Sequence, residues 1–209
     1  EPLGVVCIIA PWNYPVFLSL GPLTTALAAG NRAMIKMSEY TPETNQTIQV
    51  MLASIFSNDK VSVINGGPLV AEHFSKQPFD HLLFTGSTAV GKKVMAAAAL
   101  NLTPVTLELG GKSPTIIDND IEMKDAVCRF ILGKTLNAGQ TCVAPDYILC
   151  PQTRVEALQH AISVQFVKMY PTVVGNDDYT AIINEAQLQR LTNALTDARQ
   201  KGAHVITLG

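Results

Sequence analysis

A handful of residues in this 209-residue sequence have types and surroundings suited to chemistry. Cys142, in "NAGQTCVAPDY", follows a glycine and polar residues at the end of a helical pattern and precedes a strand-like run. A loop thiol so placed can ionise and attack an electrophilic carbon. The competing reading is a small buried hydrophobe, the role expected for Cys7, Cys128 and Cys150. A cysteine hydrolase would need a histidine partner, and none of His73, His81, His160 and His204 lies in a recognisable motif. Glu108, in "LELGGKSP", closes a strand-like run. A carboxylate there faces the crevice in which open α/β sheets bind ligands, and withdrawal from water would suit it to act as a general base. The bland alternative is a solvated strand-end carboxylate. Asn13, set between prolines in "APWNYP", can donate its amide to a developing oxyanion or simply make a turn. Lys36 and Glu39, in "IKMSEYTP", suit ribose hydroxyls or form an ordinary surface pair.

"FTGSTAVGKK", residues 84–93, is one residue short of a phosphate-cradling P-loop. Its Gly86-x-x-x-x-Gly91-Lys92 is followed by Lys93, where that loop needs a hydroxyl for magnesium, so a nucleoside-triphosphatase reading fails. The stretch reads better as a pyrophosphate seat. Gly86 allows close backbone approach, and Ser87 opens a helix whose N-terminus faces an anion.

These residues must be positioned by strands and helices that alternate. Strands are predicted at 4–10, 32–37, 61–65, 81–86 and 104–109, all buried on their Val, Ile and Leu content. Helices are predicted at 16–29, at 42–56 opening on Pro42, at 68–76, and at 87–100 opening on Ser87. The β-α-β-α order predicts a doubly wound parallel sheet of α/β class, a Rossmann-like cofactor domain over 1–109. Part of an α/β catalytic domain follows over 110–209, with the Gly pair of "LELGGKSP" at the boundary. There, strands at 113–118 and in "DYILC" flank a helix with Met123, Val127, Phe130 and Ile131 inward. Val155, Leu158, Ile162 and Phe166 mark one further amphipathic helix, and Leu188, Leu191 and Leu195 another. The first residues approach a strand without a starting Met and "GAHVITLG" ends the chain on a strand-like run, so we expect a piece of a longer protein.

Composition bounds the function. Hydrophobic residues are 47% and charged ones 15%, enough apolar side chain for a core. A net charge of −2 gives no electrostatic reason to expect nucleic acid or an anionic membrane. No apolar run approaches the roughly 20 residues of a membrane span. The cysteines lack a C-x-x-C pair, which favours a reducing cytoplasm, and the histidines lack metal spacing, so no metal is expected.

"PWNYP", "K-x-SE", "FTGSTAVGK", "LELGGKSP" and "GQTC", in this order, resemble the aldehyde dehydrogenase superfamily. The longer stretches are most similar to its class 3 branch and bacterial relatives, coniferyl aldehyde dehydrogenases among them. The resemblance implies an enzyme that oxidises an aldehyde to the carboxylate through a cysteine thiohemiacetal and thioester. It implies Cys142 as nucleophile, Glu108 as general base, and Asn13 with the Cys142 N–H as oxyanion hole. It implies Lys36 and Glu39 at the adenosine ribose, Ser87 at the pyrophosphate, and Trp12 and Gly86 along the adjoining cofactor surface. NAD is the expected cofactor because Glu39 would repel a 2′-phosphate, with NADP an alternative. An aromatic or medium-chain aldehyde, coniferyl aldehyde included, is the expected substrate, and a homodimer the expected full-length assembly. The chain departs from the family pattern at Met37, where a proline is usual, with little functional effect expected. The later E-x-F-G-P motif is absent, so this piece alone is expected to be inactive. The rival reading is a nucleotide-binding fragment without catalysis.

Overall fold

The computed structural model describes residues 1–208, which divide into two compact units, Glu1–Gly110 and the residues from Gly111 onward. In the first, β1 (Val5–Ile9), β2 (Arg32–Lys36), β3 (Val61–Ile64), β4 (His81–Thr85) and β5 (Val105–Glu108) alternate with four helices. These are α1 (Pro15–Ala28), α2 (Pro42–Ala53), α3 (Pro68–Ser75) and α4 (Thr88–Ala98). All strand pairings are parallel, in the order β3-β2-β1-β4-β5. The chain winds outward from β1 through β2 to β3, then crosses back to β4 on the other side. The strand order therefore reverses between β1 and β4, and the crevice beyond their C-terminal ends is where such sheets take ligands.

Alternate residues of the strands feed separate cores, which is why the strands read as near-continuous apolar runs. Val6, Ile8, Ala33, Ile35, Val61 and Val63 pack with Leu23 and Ala26 of α1 and Ile48 and Leu52 of α2. Cys7, Ile9, Leu82 and Phe84 pack with Phe74, Phe79, Val94 and Ala98 on the other face. β5 departs from the buried strand predicted at 104–109. It lies at the sheet edge, so Thr106 and Glu108 are exposed. Met37, the departure from the family pattern, is fully buried and donates its N–H to the Ile64 carbonyl at 3.2 Å. A proline there would forfeit that bond.

The second unit has the parallel pair β6 (Ser113–Ile116) and β7 (Pro145–Leu149), with helices α5 (Met123–Thr135), α6 (Val155–Met169) and α7 (Glu185–Gln200). Met123, Val127, Phe130 and Ile131 point inward as predicted and pack with Ile117 and Leu158. α7 forms where the leucine spacing predicts it, but Leu188, Leu191 and Leu195 are exposed, so periodicity gave the helix and not a packed face. Residues 203–208 form no strand, contrary to the strand-like reading of the final stretch, and Gly209 lies outside the described residues. No helix among the described residues is long and apolar enough to cross a membrane.

Candidate active site

In the first unit the residues picked out by sequence stand on one rim of the sheet. Trp12 and Asn13 follow β1, Lys36 ends β2 with Glu39 in the turn beyond, Gly86 and Ser87 follow β4, and Glu108 ends β5. Register makes this concrete, since Ile9 lies opposite both Lys36 and Phe84, and Thr85 lies opposite Glu108. The Gly86 N–H then donates to the Glu108 carbonyl at 3.0 Å, extending the ladder one residue past the strands. Asn13 and Trp12 are half-buried and Glu39 is exposed. Glu108 is exposed too, so the withdrawal from water that its strand-end position suggested is not found on this unit.

The helices of this unit differ in what their N-termini offer. α1, α2 and α3 open on Pro15, Pro42 and Pro68, which suits the helical φ but removes an N–H donor. α4 opens without proline. Ser87 caps it, its hydroxyl accepting the Val90 N–H at 3.3 Å, and the helix dipole adds partial positive charge at the same end. Of the helices in this unit, α4 is therefore the one best built to face an anion.

Phe84 fixes the approach to that end. Its ring is buried, and a Cβ placed on Gly86 would come within 2.5 Å of Cζ. A Cβ on Gly91 would meet the same ring at 3.4 Å and Leu109 at 2.8 Å. Gly86 thus serves the packing of an aromatic under the loop, a different reason from the backbone approach inferred from sequence. Gly86→Ala is expected to cost about 1–3 kcal/mol by overpacking, read as a lowered urea midpoint. An unchanged midpoint would show that the ring moves aside freely.

Lys36 is 2% exposed, and its ammonium donates to the Met37 carbonyl at 2.6 Å. Burial pushes its pKa down, while the Glu39 carboxylate opposes that by favouring the charged form. An ammonium has three hydrogens, so the Met37 bond leaves donors for a ligand.

Cys142 stands in the second unit, half-buried in the turn between α5 and β7, with Ala144 N–H donating to the Thr141 carbonyl at 3.2 Å. The Cys142 N–H has no acceptor among the described residues. The backbone leading to it is unusual. Asn137, Ala138 and Gly139 all take positive φ, at 53°, 52° and 74°, a conformation that non-glycine residues adopt only when their surroundings impose it. Gly111 lies close against the same loop, since a Cβ there would be 2.5 Å from the Cys142 carbonyl oxygen. Gly111, from the glycine pair read in the sequence as a domain boundary, therefore makes room for the cysteine's backbone. A glycine beside a polar motif signals close approach, and that was the clue available.

The other cysteines separate by burial. Cys7 is wholly buried, which pushes its thiol's pKa far up, and Cys150 is half-buried. Cys128 corrects the expectation of a buried hydrophobe. It is exposed, because its neighbours Val127 and Ile131 take the inward face of α5. No group of three or more metal-ligating side chains occurs among the described residues.

Comparison with known proteins bears on these features. The aldehyde dehydrogenase family profile matches residues 1–209. A Pseudomonas aeruginosa protein named "Probable coniferyl aldehyde dehydrogenase" is 60% identical over the whole chain, which spans 44% of its length. A Mus musculus "Aldehyde dehydrogenase, dimeric NADP-preferring" is 45% identical over 98% of the chain and 45% of its own length. The solved structure of a Mycobacterium tuberculosis aldehyde dehydrogenase complexed with NAD+ is 34% identical, with a TM-score of 0.88. It is matched by 99% of this chain over 44% of its own. The chain thus spans under half the length of these relatives.

Proposed function

The chain belongs to the aldehyde dehydrogenase family, and from that premise we propose that the complete protein oxidises an aldehyde to its carboxylate with Cys142 as nucleophile. The observation that carries the assignment is the Cys142 loop, which holds a half-buried cysteine whose backbone N–H has no acceptor among the described residues. We assign residues 1–109 to cofactor binding and 110–209 to part of the catalytic domain.

In this reading the Cys142 thiolate adds to the aldehyde carbon, and the carbonyl oxygen becomes an oxyanion. Asn13 and the Cys142 N–H donate to that oxyanion. When bound, the oxidised nicotinamide supplies the hydride acceptor. Loss of hydride from the same carbon re-forms a carbonyl as a thioester on Sγ. Glu108 takes a proton from water, whose oxygen attacks the thioester and releases the acid and the Cys142 thiol. The first unit's rim fits the dinucleotide this requires. The α4 N-terminus with Ser87 would hold the pyrophosphate, Lys36 and Glu39 the adenosine ribose, and Trp12 and Gly86 the adjoining surface.

NAD is the proposed acceptor because the Glu39 carboxylate would repel a 2′-phosphate. Glu39→Gln should improve kcat/KM with NADP relative to NAD by about tenfold, the effect of roughly 1.4 kcal/mol of relieved repulsion. An unchanged ratio would remove Glu39 from cofactor choice. An aromatic aldehyde, coniferyl aldehyde included, is the proposed substrate, on the similarity to the Pseudomonas protein. We propose a cytoplasmic homodimer, on the free cysteines and the dimeric mouse relative. Activity is tested by NADH formation at 340 nm with a panel of aldehydes. The complete protein should turn over coniferyl aldehyde while the 209-residue chain alone does not. No NADH with any aldehyde would instead favour a nucleotide-binding role without catalysis.

A further inference from the structure

Gln140 lies two positions before Cys142, and its side-chain amide spans from the cysteine loop to a distant part of the second unit. Nε2 donates to the Asn137 carbonyl at 3.0 Å and to the Ala181 carbonyl at 3.1 Å. Oε1 accepts the Ile183 N–H at 3.0 Å. Both amide hydrogens and the oxygen are thereby engaged, and the pattern fixes which way the amide faces, since a flip would set N–H against N–H. No other side chain meets these demands. Asparagine is one methylene shorter, glutamate lacks the donors, and lysine lacks the acceptor.

The segment that Gln140 grips is itself anchored. Ile183 precedes Asn184, whose side chain accepts the Gln187 N–H and caps α7. Tyr179 stacks edge-on against Tyr170 at 4.8 Å and Phe166 at 5.9 Å, residues at the end of α6. Tyr170 in turn approaches the Thr135 hydroxyl of α5 at 3.3 Å. The same segment borders a recess of about 550 Å³ lined by Ala138, Val174, Tyr179 and Ile182, across which a clamp from the cysteine loop would hold it. The Gln140 amide supplies that clamp where the backbone at 137–139 is already held in positive φ.

We propose that Gln140 is a positioning residue for the Cys142 thiol, bolting the loop that carries the nucleophile to the Tyr179–Ile183 segment and through it to the aromatic layer on α6. The inference rests on the assignment of Cys142 made above. In this reading Gln140 acts through the loop that carries Cys142. Its effect is on where the thiol stands, and a displacement near 1 Å can cost about 100-fold in rate.

The test uses the complete enzyme carrying Cys128→Ser, so that the exposed thiol of α5 does not compete for reagent. Iodoacetamide labelling is followed peptide by peptide, alongside kcat and the NAD dissociation constant. Gln140→Ala should slow Cys142 labelling and kcat together by about 10- to 100-fold, with NAD affinity unchanged. Gln140→Glu keeps the acceptor for Ile183 and, while protonated, one donor. Its labelling rate relative to the parent should therefore fall as pH rises and the new carboxylate faces the Asn137 and Ala181 carbonyls. Should Gln140→Ala fail to fold, that pH dependence decides alone. Parental labelling rates in the folded alanine variant, or a pH-independent ratio in the glutamate variant, would overturn the inference while leaving Cys142 as nucleophile. Preferential labelling of a different cysteine in the parent enzyme would overturn both.

Discussion

Replacing Cys142 by alanine in the complete enzyme should lower kcat for aldehyde oxidation by about 10⁴- to 10⁶-fold, the scale seen when a nucleophile is removed from a catalytic group that acts as a unit. NAD binding, followed by quenching of the Trp12 fluorescence, should persist, because the proposed dinucleotide seat lies wholly in the first unit. Cys128→Ser is the control: the thiol is more exposed than Cys142, yet it sits on the outward face of α5. It should leave kcat intact. Joint loss of NAD binding and activity in Cys142→Ala would point to a folding defect. Full activity would remove Cys142 from the chemistry.

Glu108→Gln should act on a different step. The amide cannot take a proton from water, so thioester hydrolysis should slow by about 10²- to 10⁴-fold, the range for loss of a general base. Thiol addition and hydride loss do not need that base, so a burst of about one NADH per active site should precede a stalled steady state. The exposure of Glu108 in its unit makes the result informative. A solvated carboxylate with no part in catalysis would give parental steady-state turnover and no burst.

How much of this was legible in the sequence follows from how local each feature is. Pro42 starts α2 for a reason contained in a single turn, and Ser87 caps α4 through a bond three residues away, so those starts could be read directly. The parallel, doubly wound sheet followed from the alternation, whereas the strand order and the switch point between β1 and β4 are seen only in the fold. Tertiary contacts were not legible. The demand of the Phe84 ring on both Gly86 and Gly91, the Cys142 carbonyl over Gly111, and the bonds from Gln140 to residues 41 and 43 positions away depend on how the chain folds back. The leucines of α7 fail in the opposite direction. Their spacing specifies a helix whether or not anything covers them. The edge position of β5 likewise depends on strand order, which its own apolar residues do not encode.

The central claim is that the substrate becomes covalently attached to Cys142 and is released by water that Glu108 activates. Rapid quenching of the Glu108→Gln enzyme after mixing with coniferyl aldehyde and NAD, followed by peptide mass mapping, tests it most directly. The acyl mass should be found on the peptide containing Cys142, in amounts matching the NADH burst. An acyl group on Cys7, Cys128 or Cys150, or NADH formed with no adduct on any cysteine, would contradict the account.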